Sequence, residues 1–294
     1  MSNLNSKVKE GGVNVNNFFV NTRPGKKVTY GKLTFELPIL YFRNDFFWLS
    51  FTANEKKVRS LMPSNNLYPV TMFNGKAVVA IGAFNYIDNT LGSYGEVFVS
   101  IPVIYGRKPS PFAGIITAFL ESRYPGFGVL IQHLPVTNKL ARDVGRKVWG
   151  FTKFIADMNF TITPEYMECR MHEDKQHILD MRIARKGFHL KNETPFVLFS
   201  VKDKKLIKTV VPHKSLKRMS LNAKGSFLNL GEHPMALSVK NLEISSNPFM
   251  TAYYPEHVSI LPQGVVVEDN IKPFEGYLGK DHNANHVVEY TEKM

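Results

Sequence analysis

Hydrophobic and polar residues alternate with a period of two along much of this chain, which predicts β-strands. In the first half, this pattern predicts strands within residues 28–51, 67–73, 77–86 and 97–105. The second and third of these runs are separated by Asn74-Gly75, and Asn-Gly between two apolar runs is a strong signal for a β-hairpin.

In the second half of the chain, the same alternation predicts a succession of strands. Candidate strands are residues 155–163, 166–172, 177–184, 197–200, 206–212, 227–230 and 250–261. Their regular spacing favours a closed or sandwiched β architecture over alternating strand–helix units.

Three segments have the helical spacing of apolar residues instead. They are a short helix at 53–61, a helix at 111–122, and a third that starts at an N-cap Thr137 and ends around Gly145. This layout places Lys153 just beyond a helix, on an entering strand.

The amino-acid composition restricts the class of protein to which the chain can belong. With 294 residues, 44% of them hydrophobic, the chain can bury one large core or two small ones. The single cysteine, Cys169, rules out an internal disulfide framework. The longest apolar stretch, 112–120, is too short to cross a bilayer, and no signal peptide opens the chain, so we expect a cytoplasmic protein that does not bind membranes. We divide the chain into an N-terminal arm (1–24), a domain (25–264) and a C-terminal tail (265–294).

The formal net charge of +12 raises the possibility of nucleic-acid binding. The densest basic stretch, 202–208, has apolar residues interleaved as in strands, and no zinc-finger spacing or RNA-binding aromatic motif accompanies it. A solvated hairpin face explains the stretch better, so we predict no nucleic-acid partner. The positive potential also suits an anionic small-molecule substrate.

The segment from Gly145 to Phe154 carries the most distinctive chemistry. Lys153 is flanked there by Trp149, Phe151 and Phe154. Apolar walls disfavour the ammonium form, so such a lysine is expected to have a pKa below its usual value of about 10.4. A neutral amine attacks ketones to form a Schiff base. The alternative is a lysine that packs its stem on aromatic rings and keeps its charge in water.

Two blocks of sequence resemble the acetoacetate decarboxylase family. Gly145-Arg146-x-x-x-x-Phe151-x-Lys153 is similar to the family's Schiff-base lysine segment, and Leu91-Gly92-Ser93-Tyr94-Gly95-Glu96 is similar to its Leu-Gly-x-Tyr-x-Glu. A weaker block runs from Leu228 to Pro262, so the resemblance extends over about residues 37–262. Acetoacetate decarboxylases are themselves the standard example of a lysine activated by its surroundings.

The resemblance implies a mainly β (α+β) fold, a closed β-barrel or cone with a few flanking helices, and assembly as a homo-oligomer. It implies that Lys153 forms a Schiff base with a small-molecule β-keto acid and that Glu96 relays protons. The imine accepts the electron pair released with carbon dioxide, so no metal or organic cofactor is expected. The predicted substrate-binding residues are Arg146, Trp149, Phe151, Phe154, Ile81 and Tyr94.

Arg146 has two interpretations of equal weight. Its guanidinium group suits bidentate binding of a substrate carboxylate. It also suits a structural salt bridge with Asp143 or Glu96.

Several positions depart from the family's pattern. Phe154 stands where the family has a second lysine, Thr152 replaces a proline, and Ile81 stands where an upstream pocket glutamate is expected. A family arginine falls near Asn44, with Arg43 adjacent. An apolar Ile81 suggests a larger or more apolar substrate, such as a longer-chain β-keto acid.

Two other functions stay open at this point. One is a Schiff-base aldolase or dehydratase on the same scaffold, and the other is a non-catalytic β-barrel that binds a small apolar acid with Lys153 as a counter-ion. His282 and His286 have the spacing of metal ligands on a helix, but their segment is a poor helix former, so we predict no metal site.

Overall fold

The computed structural model of the chain describes residues 17–20, 22, 25–30, 33–110, 113, 114, 117, 124–192 and 194–280. Within them the strands are β1 (Lys26–Tyr30), β2 (Leu33–Leu37), β3 (Ile39–Ala53), β4 (Leu67–Pro69), β5 (Ala77–Asn89), β6 (Tyr94–Tyr105), β7 (Phe127–His133), β8 (Asp157–Ile162), β9 (Tyr166–Glu173), β10 (Gln176–Ala184), β11 (Phe188–Asn192), β12 (Phe196–Lys202), β13 (Lys205–Val211), β14 (His213–Ser220), β15 (Phe227–Leu230), β16 (Met250–Leu261) and β17 (Val265–Glu268).

Helices are few and short. They are α1 (Glu55–Ser60), α2 (Lys139–Trp149) and α3 (Pro234–Lys240). Residues 113, 114 and 117 are helical as well, while the rest of the helix predicted at 111–122 lies outside the described residues. The prediction of a mainly β fold with a few helices is confirmed.

One large sheet dominates the molecule. Its strands follow the order β11-β14-β16-β3-β5-β6-β7-β12-β13-β17, with β4 paired to β6, and β7 and β12 are the parallel pair among antiparallel neighbours. In the described part of the chain this path is open, since β11 and β17 are not paired to each other. The closed barrel or cone therefore stays a prediction.

The two faces of this sheet have different surroundings. Side chains at odd positions of β5, such as Val79 and Ile81, belong to the main core, which includes buried residues of the second sheet, β15-β10-β9-β8. Side chains at even positions, such as Ala80 and Phe84, line a cavity on the opposite face. This follows from the two-residue period of a strand, and it decides which residues can reach a ligand.

The predicted turn at Asn74-Gly75 forms, with Gly75 at φ 76° and the Met72 amide donating to the Lys76 carbonyl. The strand before it is shorter than predicted. β4 ends at Pro69 and pairs with β6 rather than β5, because the Val70 amide donates to the Pro102 carbonyl of β6.

Helix α2 differs from its predicted bounds at both ends. The N-cap is Asn138, whose Oδ1 accepts from the Ala141 amide at 3.1 Å. The helix continues past Gly145 and ends at Gly150, which has φ 69°, the left-handed conformation that glycine adopts most readily. Lys153 therefore lies in an extended connection between α2 and β8, not on a strand as predicted.

The basic stretch at 202–208 forms the predicted hairpin between β12 and β13. Downstream, however, Lys217 is only 2% exposed, and its Nζ lies 5.4 Å from the ring of Trp48. Alternation along β14 turns this lysine inward, so the basic residues that follow the hairpin do not all face solvent. No helix in the described ranges is long and apolar enough to cross a membrane.

Candidate active site

A short connecting segment brings Glu96 and Lys153 together, although 57 residues separate them in sequence. Val136 forms an antiparallel bridge with Glu96 on one side and a parallel bridge with Ile155 on the other. Its amide donates to the Phe154 carbonyl at 2.8 Å, and its carbonyl accepts from the Ala156 amide at 3.1 Å. The backbone thus fixes the start of β6 beside the segment that carries Lys153.

The two side chains meet in the interior. Nζ of Lys153 donates a hydrogen bond to Oε2 of Glu96. Lys153 is 4% exposed and Glu96 is 6% exposed. A buried amine in direct contact with a carboxylate can exchange a proton without involving bulk water.

Helix α2 packs against the side chain of Lys153. A methyl group at Gly145 would lie 2.5 Å from both Cδ and Cε of Lys153, so the aliphatic stem passes directly over this glycine. Arg146, one residue on, donates from Nε to the Lys153 carbonyl and from Nη2 to the Leu278 carbonyl, both at 2.6 Å. Its guanidinium group therefore holds the backbone at the lysine and the segment after β17.

Three tyrosines surround the pair. The Tyr86 hydroxyl donates to Oε1 of Glu96 at 3.3 Å, and the hydroxyls of Tyr41 and Tyr94 are 2.9 Å apart. Burial, followed by the charge of Glu96, raises the pKa of Tyr41 and of Tyr86. Burial, followed by the neighbouring Tyr41, raises the pKa of Tyr94. All three phenols remain protonated at neutral pH, which leaves the Tyr86 hydroxyl as a donor to the carboxylate.

The pair opens onto a cavity of ≈ 410 Å³. Among the described residues that line it, the charged ones are Glu96, Lys153 and Lys208. Most of the remainder are aromatic or aliphatic. The volume and the apolar wall with a few convergent polar groups are typical of a small-molecule site.

Of the other predicted site residues, Phe151 lines this cavity, and Trp149 and Tyr94 lie close to it without being part of its lining. The ring centroid of Phe151 lies 5.9 Å from Lys153 Nζ, and Trp149 stacks behind Phe151 at 5.7 Å. The ring of Tyr94 lies 5.7 Å from the same Nζ.

Phe154, Ile81 and Arg146 are not brought to the cavity. Phe154 packs against His233 and Tyr277, at 6.0 and 5.1 Å. Ile81 is fully buried in the core on the other face of the main sheet. The apolar side chain of Ile81 therefore gives no information about the cavity wall that faces a ligand.

His257 was not predicted from the sequence. It is 1% exposed and lines the cavity, and its Nδ1 lies 2.9 Å from Oδ1 of Asn44. Burial, followed by the neighbouring His213, lowers the pKa of His257 well below its usual value, so the imidazole is neutral. The sequence singled out Asn44, but its partner comes from β16, more than two hundred positions away.

No group of three or more potential metal ligands occurs in the parts of the chain that the structure describes. His282 and His286 lie outside those parts. Cys169 is fully buried, and burial raises the pKa of its thiol.

Comparison with known proteins gives consistent matches. A model of the acetoacetate decarboxylase family matches residues 22–268. Acetoacetate decarboxylase from Legionella pneumophila has a similar structure, with TM-score 0.61 and 18% sequence identity over 90% of this chain and 99% of that one. The enduracididine biosynthesis enzyme MppR, complexed with pyruvate, is similar with TM-score 0.60 and 9% identity, over 83% of this chain and 99% of that one. No curated protein matches the sequence.

Proposed function

Because the chain belongs to the acetoacetate decarboxylase family, we propose that it is a Schiff-base-forming decarboxylase, which converts a β-keto acid into a ketone and carbon dioxide. One observation carries this proposal. The buried amine of Lys153 contacts the buried carboxylate of Glu96 on the wall of a mostly apolar cavity. A hydrophobic site with a nucleophile and a proton acceptor in contact suits covalent catalysis on a ketone.

The reaction begins with proton transfer from Lys153 to Glu96. The free amine attacks the keto carbon to give a carbinolamine, and Glu96 returns its proton to the departing hydroxyl group. Water leaves and a protonated imine remains.

The imine then serves as the electron sink. The bond between the α-carbon and the carboxylate breaks, carbon dioxide leaves, and the electron pair neutralises the imine nitrogen to give an enamine. The α-carbon takes up a proton, and water hydrolyses the resulting imine to release the ketone and restore Lys153. Glu96, held by the Tyr86 hydroxyl, is the group within reach to relay these protons.

The apolar walls favour the bond-breaking step. A carboxylate next to Phe84 and Phe151 loses hydration when the substrate binds, and departure of carbon dioxide removes that buried charge. The step therefore relieves an unfavourable interaction that binding creates.

Reduction with borohydride in the presence of acetoacetate, and separately of longer β-keto acids, tests the covalent step. We expect a reduced adduct in the intact mass, peptide mapping that places it on Lys153, and no adduct in Lys153→Met. Lys147→Ala removes an exposed lysine from the adjacent helix and serves as the matched control, with full labelling expected. The same incubation without borohydride is expected to release carbon dioxide above the spontaneous rate.

An absent adduct in a folded wild-type protein would refute Schiff-base catalysis and favour a non-catalytic binding role. An adduct on Lys153 without carbon dioxide release from any β-keto acid would refute the decarboxylase but retain the Schiff base.

The latter outcome would favour a second candidate, a Schiff-base lyase of another reaction type. Its support is the fold shared with MppR, a structure of which contains the condensation product of pyruvate and imidazole 4-carboxaldehyde. Trapping with pyruvate in place of a β-keto acid distinguishes this candidate, because pyruvate has no β-carboxylate to lose.

A further inference from the structure

The cavity extends far beyond the reacting pair. On β6, four alternate residues line it, namely Glu96, Phe98, Ser100 and Pro102. At about 3.3 Å per residue, these positions span about 20 Å. A four-carbon acid has three carbon–carbon bonds of about 1.5 Å and fills less than a quarter of that length.

The floor of the cavity is a ladder of cross-strand rows. The row at the reacting pair joins Phe46, Phe84 and Glu96 on β3, β5 and β6. The rings of Phe46 and Phe84 stack at 4.0 Å, with an interplanar angle of 11°. This row forms a flat aromatic surface beside the lysine.

The next row joins Trp48, Gly82 and Phe98. A Cβ atom at Gly82 would lie 2.5 Å from the Phe98 ring, so the missing side chain lets that ring lie down against the sheet. The cavity therefore stays continuous past this bulky row.

Beyond it, the row of Ser50, Ala80 and Ser100 contains only small side chains. We name these three residues the small row. It lies four residues along β6 from Glu96, which is about 13 Å. Small side chains on three adjacent strands leave a depression there, and Val70, Val78 and Phe249 are among the apolar residues that line this end of the cavity.

Two hydroxyl groups at this end are satisfied within the protein. The hydroxyl of Ser100 donates to the Ala80 carbonyl at 3.4 Å, and that of Thr117 donates to the Ala113 carbonyl at 2.7 Å. Apart from the hydroxyl of Ser50, the wall around the small row thus offers a ligand mainly apolar contact.

From this arrangement we infer that the substrate is a β-keto acid with a long unbranched apolar chain, and that the small row binds the end of that chain. The inference rests on the proposed function for the chemistry at the head group. An extended chain advances roughly 1.3 Å per bond, so about ten bonds beyond the keto carbon that Lys153 attacks, as in a 3-oxo acid of about thirteen carbons, reach the small row. Ala80, at the centre of the row, sets the length that fits.

The test compares kcat/KM for 3-oxobutanoate, 3-oxohexanoate, 3-oxodecanoate and 3-oxotetradecanoate, each corrected for spontaneous decarboxylation. In wild type we expect kcat/KM to rise with chain length, by up to roughly threefold to fourfold per added methylene group, the value of burying one such group. Ala80→Phe fills the depression and is expected to lose at least about tenfold in kcat/KM for 3-oxotetradecanoate, while 3-oxobutanoate activity is retained. Ala80→Val gives a smaller loss in the same direction, and 3-oxobutanoate activity in each variant reports that the fold and reacting pair are intact.

Equal kcat/KM for the four- and fourteen-carbon acids, or an unchanged chain-length profile in both variants, would overturn the inference and leave the Schiff base standing. A missing Lys153 adduct would instead overturn the proposed function. In that event, dissociation constants of saturated acids of four to fourteen carbons decide the binding inference. Affinity that rises with length in wild type but not in Ala80→Phe supports it, and length-independent affinity overturns it.

Discussion

Gly145 and Lys153 are in direct contact, because the lysine stem crosses helix α2 at the position where the helix has no side chain. A methyl group at Gly145 would lie 2.5 Å from Cδ and Cε of the lysine. The amine of Lys153 is thus placed by the absence of a side chain at Gly145, eight residues before it.

Gly145→Ala tests this placement. In a helix interior the change normally adds up to about 1 kcal/mol of stability, because alanine loses less backbone entropy than glycine. We expect the free energy of unfolding to change by less than about 1 kcal/mol, while kcat falls at least about tenfold because Nζ moves away from Glu96. Lys147→Ala on the exposed side of α2 is the control. Wild-type borohydride labelling in Gly145→Ala would contradict the expectation.

The contact between Lys153 and Glu96 predicts strong coupling in stability. Lys153→Met and Glu96→Gln each leave one buried member of the pair without its partner, and we expect each to lower the free energy of unfolding by about 3 kcal/mol. The double variant removes both and is expected to be more stable than either single variant. Urea unfolding of all four proteins gives the coupling energy. Strict additivity would show that the two groups do not interact in solution.

Tyr86→Phe removes a single hydroxyl that donates to Glu96 at 3.3 Å. We expect kcat to fall by roughly tenfold, the effect of one hydrogen bond to a charged group at the lower end of its range, with little change in KM. Tyr94→Phe is the matched control, because its hydroxyl bonds to Tyr41 and not to the carboxylate. A larger loss in Tyr94→Phe than in Tyr86→Phe would argue against a role for Tyr86 in holding Glu96.

Arg146→Lys distinguishes the two interpretations of this arginine. One ammonium group cannot reproduce two hydrogen bonds to carbonyls from a rigid guanidinium fork, so we expect a loss of about 2 kcal/mol in unfolding free energy. KM for the keto acid is expected to stay within about twofold of wild type. If Arg146 instead binds the substrate carboxylate, KM rises by tenfold or more while stability is unchanged.

Two buried histidines predict that the folded protein loses stability at acidic pH. Burial lowers the pKa of His133 and of His213 to about 4 in each case, from 6.5 in the unfolded chain. Between pH 6.5 and pH 4, these histidines are therefore protonated in the unfolded state but neutral in the folded state. The free energy of unfolding has its full value above pH 6.5 and declines as the pH falls toward 4. The loss is about 2 to 3 kcal/mol per histidine at pH 4.5.

His213→Phe retains a ring against Phe196, on which His213 stacks at 3.8 Å, and removes the titrating group. We expect the loss of unfolding free energy between pH 7 and pH 4.5 to shrink by about 2 kcal/mol in this variant. His189→Phe, which changes an exposed histidine, is the control. Identical pH slopes in His213→Phe and wild type would contradict the assignment.

The sequence was most informative where a local pattern carries the signal. The strand-rich fold, the turn at Asn74-Gly75 and the basic hairpin follow from periodicity and turn chemistry, which short segments contain in full. Lys153 was singled out by its aromatic neighbours and by a family motif, and Glu96 by a family motif alone, and the structure places the two in contact.

Long-range pairing was not predictable from one sequence. Counting back from Glu96 selects Ile81, but the register between β5 and β6 places Ile81 opposite Val99 in the core and Ala80 opposite Ser100 at the cavity. A shift of one residue exchanges the two faces of a strand, so no local pattern could decide between Ile81 and Ala80. His257 and the inward Lys217 were missed for the same reason. The homo-oligomer implied by the resemblance and the cytoplasmic location expected from the apolar pattern of the sequence stay predictions.

The two faces of β5 also have an evolutionary consequence. Residues that point toward the main core share their contacts with many neighbours, so a change there threatens folding. Residues that point toward the cavity border empty space, so a change there reshapes what fits with little effect on the fold. Alternate positions of one strand are therefore under different selective pressures, for folding on the core side and for ligand fit on the cavity side. A lineage with this architecture can acquire a new substrate preference through single substitutions, without a compensating mutation to restore folding.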